Sequence, residues 1–194
     1  MHPASNSKIN IANALCVFRL GMAMLLPVLA WQGKQMTFLY CLAAALFSDA
    51  IDGFIARKLQ QTSQLGTKLD SWADLTLFIT TPLSAWLLWP HVIAREWLFV
   101  TIVLLALLVP IAYGLVKYKR ITSYHTYMAK ISGVLMGISS LLLLFDITPW
   151  PFRFAAFFMV AEALEEIAIT ATLPQWTSNV PTIKHARRLV KKQA

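Results

Sequence analysis

The chain carries little charge for its length. Of its 194 residues, 13% are Asp, Glu, Lys or Arg, whereas 58% are hydrophobic and the mean hydropathy is +0.61. A soluble domain with one buried core needs more polar residues to cover its surface, so this composition is typical of an integral membrane protein. Cysteine is also scarce. Cys16 and Cys41 both fall inside apolar runs, which favours small buried hydrophobic side chains over a disulfide or a metal site.

The first residues do not show the pattern of a secretory signal peptide. The N-terminal sequence MHPASNSKIN lacks the charged start and the small-residue cleavage site of a signal peptide. The first apolar run is long enough to stay in the membrane. We therefore expect no N-terminal segment to be removed.

Six mostly apolar runs make up most of the chain. Each has about 18 to 25 residues, the length that crosses a ~30 Å hydrocarbon layer as a helix. They cover residues 11–31, 36–57, 69–89, 96–116, 127–146 and 150–174. The connections between them are too short for a separate soluble domain. The sequence therefore predicts an all-α integral membrane protein, with a cytoplasmic segment 1–10, a six-helix transmembrane domain 11–174 and a basic cytoplasmic tail 175–194.

Acidic residues are outnumbered, 9 against 17 basic ones, and the basic residues are unevenly placed. Six spans put both termini on the same side of the membrane. The opposite side has only three basic residues, Lys34, Arg95 and Arg153. The side of the termini holds Lys8, Arg57, Lys58, Lys68, Lys117, Lys119, Arg120, Lys130, Lys184, Arg187, Arg188, Lys191 and Lys192. By the positive-inside rule this side is cytoplasmic. The positive charge thus indicates topology and contact with anionic headgroups, and no nucleic-acid partner is expected.

Four of the few acidic residues lie close together in the sequence. Asp49 and Asp52 are near the cytoplasmic end of the second predicted span, and Asp70 and Asp74 are at the start of the third. Residues three or four apart share a helix face, so the two side chains of each pair lie on the same side of their helix. A short loop makes the two spans antiparallel neighbours. We therefore expect the four carboxylates to converge.

Carboxylates at membrane depth need compensation. Each costs at least ~2.5 kcal/mol on insertion scales, and four together repel one another unless cations neutralise them. Oxygen ligands without His or Cys favour a hard divalent ion, Mg²⁺ or Mn²⁺, and two facing pairs suit two ions. Hard metals at a membrane surface point to phosphate chemistry.

Small residues and an arginine flank the aspartates. Gly53, Ala56 and Gly66 leave the helix flanks without bulk, so a ligand is able to approach the backbone. Arg57 lies one turn after Gly53, and its guanidinium is suited to a diphosphate, although topological anchoring is the alternative.

The whole stretch resembles the signature of the CDP-alcohol phosphotransferase family. It matches the fixed positions and gaps of that signature as Asp49-x2-Asp52-Gly53-x2-Ala56-Arg57-x8-Gly66-x3-Asp70-x3-Asp74. The segment IANALCVFRL is similar to the Asn-x-Leu-Thr-x-x-Arg start of many members, with Asn13, Leu15 and Arg19 matching. Cys16 replaces the usual Thr, so a role for that hydroxyl is not carried over.

The resemblance implies a metal-dependent enzyme that moves a phosphatidyl group from CDP-diacylglycerol to the hydroxyl of a small polar alcohol and releases CMP. It assigns the metal site, with Mg²⁺ or Mn²⁺ and two ions expected, to Asp49, Asp52, Asp70 and Asp74. Asp74 is also the expected catalytic base. The CDP-donor site is assigned to Asn13, Asp52, Gly53, Ala56, Arg57 and Gly66. The resemblance further implies a homodimer in the plasma or inner membrane, with its active site at the cytoplasmic face.

The acceptor is less determined. Arg120 and His125 lie between the fourth and fifth spans and Lys130 lies at the start of the fifth, where a basic cluster would suit glycerol 3-phosphate, the leading acceptor. Inositol phosphate, serine and another polyol or amino alcohol are alternatives with the same chemistry. Positive-inside anchoring is the other interpretation of the cluster.

The sixth predicted span holds Glu162, Glu165 and Glu166, either as structural partners or as acceptor ligands. From matching depths we predict that Arg19 pairs with Glu165 or Glu166. The resemblance gives the competing view, in which Arg19 faces the active site. A cation carrier or channel is the alternative from another class, although its acidic residues would be spread through the membrane depth.

Overall fold

The computed structural model describes residues 11–59, 64–119, 122, 124, 126–177 and 180–193. Within these ranges every regular element is a helix and no strand is present. The helices are α1 (Ile11–Trp31), α2 (Gln35–Leu59), α3 (Gln64–Leu88), α4 (Pro90–Arg95), α5 (Trp97–Tyr118), α6 (Tyr127–Leu144), α7 (Trp150–Thr172) and α8 (Ile183–Gln193).

The long helices follow the predicted apolar runs. Each of the six runs coincides with one long helix, to within five residues at either end, so the all-helical prediction is confirmed. Three helical segments of the described chain are long and apolar enough to cross a membrane, namely Asn13–Trp31, Trp97–Tyr118 and Tyr127–Leu144. Six spans with both termini in the cytoplasm stay a prediction.

Residues 1–90 form one compact unit, in which α1 packs against both α2 and α3. α1 and α2 are joined by a tight turn at Gly33, whose φ of 69° lies in the left-handed region that glycine adopts at little cost. At the same end, the Gln35 side chain donates to the Leu88 carbonyl at 2.9 Å, and the rings of Phe38 and Trp89 meet edge to face at 5.5 Å. These contacts fix the start of α2 against the end of α3.

Residues 91–194 form the second unit, in which α7 packs against α5, α6 and α8. Lys119 caps the C-terminal end of α5. Its φ is 57°, and its N–H donates a hydrogen bond to the Leu115 carbonyl. α6 begins at Thr126, whose hydroxyl accepts a hydrogen bond from the Ala129 N–H at 3.0 Å and so satisfies an open donor of the first turn. The connection between α5 and α6 is held close to α5, because Gly114 leaves the space that the Thr122 side chain fills.

The last helix was not predicted from the sequence. α8 lies within the predicted tail 175–194 and follows α7 after a ten-residue connection, residues 173–182. Its apolar residues pack on a buried cluster formed by Tyr124, Ile169, Leu173, Val180 and Ala186.

Candidate active site

Three of the four predicted aspartates meet in the first unit. Asp49 lies on α2, and Asp70 and Asp74 lie one turn apart on α3. One carboxylate oxygen from each falls within 4.8 Å of the other two. The side chains are 49%, 32% and 40% exposed in that order, so an ion from the surroundings is able to reach them. We call Asp49, Asp70 and Asp74 the aspartate cluster.

Arg19 of α1 lies beneath the aspartate cluster and is completely buried. Its Nη1 atom is 2.7 Å from the Asp49 carboxylate and 3.2 Å from that of Asp70, and it also forms an ion pair with Asp74. A guanidinium with no access to water is tolerated only when opposite charges surround it. Arg19 thus links all three helices of the unit through one side chain.

The predicted pairing of Arg19 with Glu165 or Glu166 is therefore wrong. That prediction assumed that the aspartates lie close to the ends of their helices. In the structure α3 begins at Gln64, five residues earlier than predicted, and α2 continues to Leu59. Asp49 therefore lies ten residues from the end of α2, and Asp70 and Asp74 lie six and ten residues from the start of α3, depths comparable to the eight residues of Arg19 in α1. Helical side chains also lean toward the N-terminus, which directs Arg19 to the end of α1 where the aspartates are.

Cys16 contacts the same site. It lies three residues before Arg19, on the same face of α1, and its Sγ is 3.9 Å from an oxygen of Asp70. The thiol occupies the position of the threonine in the Asn-x-Leu-Thr-x-x-Arg pattern, next to the aspartate cluster. This position is therefore filled by a weaker hydrogen-bonding group in this chain.

The donor set fits a hard divalent cation. All three candidate ligands are carboxylates, which Mg²⁺ and Mn²⁺ prefer. Counting only side chains that the structure describes, Arg19 supplies one positive charge against three carboxylates, which leaves two formal negative charges when all three are ionised. The guanidinium itself shows that the cluster attracts positive charge.

The other predicted donor-site residues are only partly described. Asn13 and Gly66 lie on α1 and α3 of the same unit, both partly buried. Four more belong to the last turns of α2, and their side-chain surroundings lie outside the described residues. These are Asp52, Gly53, Ala56 and Arg57. Their roles stay predictions.

The predicted acceptor residues belong to the second unit. Lys130 is exposed on the first turn of α6, with its Nζ 5.9 Å from the centre of the Tyr127 ring. Arg120 and His125 lie outside the described residues. Arg95 is held in ion pairs with the neighbouring buried Glu96 and with Asp146.

The acidic residues of α7 are half-buried. Glu165 accepts a hydrogen bond from the N–H of Ile183, the first residue of α8, at 3.4 Å. A carboxylate at a helix N-terminus is stabilised by the open N–H groups and the helix dipole. Glu165 therefore has a structural contact, whereas a role of Glu162 or Glu166 at the acceptor stays a hypothesis.

Comparison with known families gives one match. The family model described as CDP-alcohol phosphatidyltransferase matches residues 9–174, which is most of the chain. The chain belongs to this family. No curated protein and no solved structure matches the sequence significantly. The family resemblance of the aspartate motif is thus confirmed.

Membership of the CDP-alcohol phosphatidyltransferase family makes the chain a phosphotransferase that uses a CDP-alcohol as donor. The matched range includes α1 to α7 and ends before α8. Arg19, Asp49, Asp70 and Asp74 all lie inside it. The family defines the reaction class and does not specify the acceptor alcohol.

Proposed function

We propose that the chain transfers the phosphatidyl group of CDP-diacylglycerol to the hydroxyl of a small polar alcohol, with glycerol 3-phosphate as the leading acceptor. The observation that carries this proposal is the convergence of Asp49, Asp70 and Asp74 from two helices in a chain of this family. Carboxylates grouped in this way suit a metal-assisted displacement at phosphorus. Inositol phosphate, serine and other polyols or amino alcohols remain alternative acceptors.

The aspartate cluster, with Asp52, would hold Mg²⁺ or Mn²⁺. A divalent ion bound there supplies Lewis-acid polarisation of the donor diphosphate and neutralises its charge. In the proposed reaction the acceptor oxygen attacks the phosphatidyl phosphorus. The bond between that phosphorus and the bridging oxygen breaks, and its electron pair leaves with CMP. Asp74 takes the proton of the acceptor hydroxyl.

Arg19 has a positioning role in this proposal. Its Nη1 atom contacts a carboxylate from α2 and two from α3, so it holds the two helices at the separation that brings their oxygens together. Arg19 is completely buried whereas the three carboxylates are partly exposed, so the carboxylates are accessible from the outside and the guanidinium is not. The donor would approach from that exposed side.

The proposal includes an integral membrane location in a plasma or inner membrane, with the site at the cytoplasmic face and a homodimer as the assembly. Three candidate spans support the membrane location. The acyl chains of a lipid donor remain in the bilayer in this arrangement, while the nucleotide and the acceptor arrive from water.

The direct test incubates purified protein with CDP-diacylglycerol, Mg²⁺ and each acceptor in turn, and identifies the lipid product by mass. We expect CMP and a new phospholipid in equal amounts, with glycerol 3-phosphate as the best acceptor. Product with serine or inositol phosphate instead would change the acceptor and retain the reaction class. Cation flux in vesicles without CMP release would support the carrier alternative and overturn the proposal.

Lys130 tests the charge of the acceptor. If Lys130 contacts an acceptor phosphate, Lys130→Ala raises the KM for acceptor much more than the KM for CDP-diacylglycerol. Lys34→Ala is the control, since Lys34 is also an exposed lysine outside the aspartate cluster. Equal changes in both constants would leave Lys130 as a topological anchor.

A further inference from the structure

α8 separates its residues into two faces. Apolar side chains occupy one side of this 11-residue helix, at Ile183, Ala186, Leu189 and Val190. The opposite side carries the basic face of α8, which we define as Lys184, His185, Arg187, Arg188 and Lys191. All five side chains of the basic face are exposed. The helix contains no acidic residue.

The apolar face is already covered by the protein. Ala186 is completely buried, and Ile183, Leu189 and Val190 pack on the cluster around Tyr124 and Ile169. The hydroxyl of Tyr124 is 2.9 Å from that of Thr170 on α7, which fixes the ring under α8. α8 therefore has a set orientation, with its basic face directed away from the second unit.

Within the described part of the chain, no carboxylate forms an ion pair with the basic face. Among the described residues, the ion pairs involve Arg19, Arg95 and Arg153, and none includes a lysine or arginine of α8. Like charges on adjacent turns of a helix repel one another. An external anionic partner would relieve that repulsion.

The connection before α8 places the helix beside the ends of two candidate membrane spans. The Val180 N–H donates to the Tyr124 carbonyl at 3.1 Å, and the N–H of Tyr127, the first residue of α6, donates to the Pro181 carbonyl at 3.3 Å. At the end of α5, the Tyr118 hydroxyl donates to the Leu173 carbonyl at 2.7 Å. α5 ends and α6 begins at this level, and both are long and apolar enough to cross a membrane.

We propose that the basic face of α8 is a docking surface for the headgroups of anionic phospholipids. A helix fixed beside the ends of two spans lies at the level of the headgroups, where clustered Lys and Arg attract anionic lipids. Nucleic acid offers the same charge, but the attachment of α8 to two apolar spans favours the lipid. This inference is independent of the acceptor and goes beyond the proposed transferase reaction.

The test uses full-length protein in micelles that contain equal amounts of phosphatidylglycerol and phosphatidylcholine, and counts bound lipids by native mass spectrometry. Wild type should retain phosphatidylglycerol in excess. Arg187→Gln with Arg188→Gln should lower that excess by about tenfold, since each cation near an anionic surface contributes up to roughly fivefold in affinity. Arg187→Lys with Arg188→Lys keeps both charges and should retain the excess.

The control, Lys34→Gln, removes an exposed lysine of the first unit and should leave the excess unchanged. Circular dichroism checks that each variant is helical, and Lys184→Gln with Lys191→Gln is a second neutralised pair that should behave as the first does. An unchanged excess in both neutralised pairs, or an equal loss in the Lys34→Gln control, would overturn the proposal. Displacement of the lipid by inorganic phosphate or by a short oligonucleotide at equal concentration would assign the face to another anion and overturn it as well.

Discussion

Among the residues whose burial the structure describes, each unit buries one charged group, and the two sites are built in opposite ways. In the first unit a cation is buried, with Arg19 beneath three partly exposed carboxylates. In the second unit an anion is buried, and Glu96 accepts two hydrogen bonds of 2.8 Å from Arg153. Arg95 contacts Glu96 at 3.3 Å and extends to Asp146 at 3.1 Å. We call the second group the Glu96 network.

The two sites differ in how completely their charges are paired. In the Glu96 network two arginines face two acidic residues, and Arg153 also packs over the rings of Trp150 and Phe99. Both oxygens of Glu96 are used. In the aspartate cluster one described arginine faces three carboxylates, so negative charge remains. The balanced charges of the Glu96 network suit a structural role, whereas the excess negative charge of the aspartate cluster suits the binding of a further cation.

The largest expected difference between the two sites is in catalysis. Asp70→Asn should lower CMP release by more than about hundredfold, because even substitutions next to a metal ligand cost roughly 10- to 100-fold. The same variant should stay folded, since it relieves repulsion among the carboxylates. Glu96→Gln should keep wild-type turnover per folded molecule. CMP release from CDP-diacylglycerol, measured in detergent on both variants, checks the prediction, and wild-type turnover in Asp70→Asn would remove Asp70 from the site.

Removing the buried cation should make stability depend on metal. Arg19→Gln leaves three carboxylates without their shared partner, which we expect to lower the Tm by roughly 10 °C in the absence of divalent ions. Mg²⁺ should then raise the Tm of Arg19→Gln more than that of wild type, because the ion no longer competes with the guanidinium. Arg19→Lys keeps the charge and is the control. Equal Mg²⁺ effects on all three proteins would separate Arg19 from the ion site.

The Glu96 network should show a smaller and metal-independent effect. Glu96→Gln keeps the shape of the side chain and removes the charge that both arginines share, so the Tm should fall by about 5 °C. The partly exposed arginines are able to regain water, which limits the loss. Thermal denaturation with and without Mg²⁺ measures it. A Tm that Mg²⁺ restores would show that this network also binds cations, and the contrast between the sites would be lost.

The smallest effect is expected at the edge of the Glu96 network. Asp146 is 66% exposed, and its ion pair with Arg95 is open to water. Exposed ion pairs contribute little, so Asp146→Asn should change the Tm by less than about 2 °C. Asn also tolerates the positive φ of 55° at this position. A loss as large as that of Glu96→Gln would mean that the network acts as one unit.

Much of the fold could be predicted because membrane helices are uniform. A run of apolar residues long enough to cross a bilayer predicts both the helix and its length, and all six runs are helical. The helix ends were less predictable, since polar segments also extend the helices. α3 includes the polar residues Gln64, Thr67 and Lys68, and the omission of this first turn from the predicted helix misplaced the aspartates relative to Arg19.

The aspartate site was predictable from spacing, and its buried arginine was not predicted correctly. The i, i+4 relation of Asp70 and Asp74 and the short connection to α2 indicate convergence directly. Arg19 is 51 residues from Asp70, and one sequence has no spacing rule for that distance. The signal that identifies it is the Asn-x-Leu-Thr-x-x-Arg resemblance. α8 was missed because its residues are polar overall, and the amphipathic pattern of an 11-residue helix also fits a solvated tail.

The most direct measurement is the binding of Mn²⁺ to purified protein, followed by electron paramagnetic resonance, for wild type, Asp70→Asn and Glu96→Gln. We expect wild type and Glu96→Gln to bind Mn²⁺ alike, Asp70→Asn to bind it at least about tenfold more weakly, and Mg²⁺ to displace the ion in each case. Equal Mn²⁺ binding by all three proteins would contradict the assignment of the aspartate cluster as the metal site of this transferase.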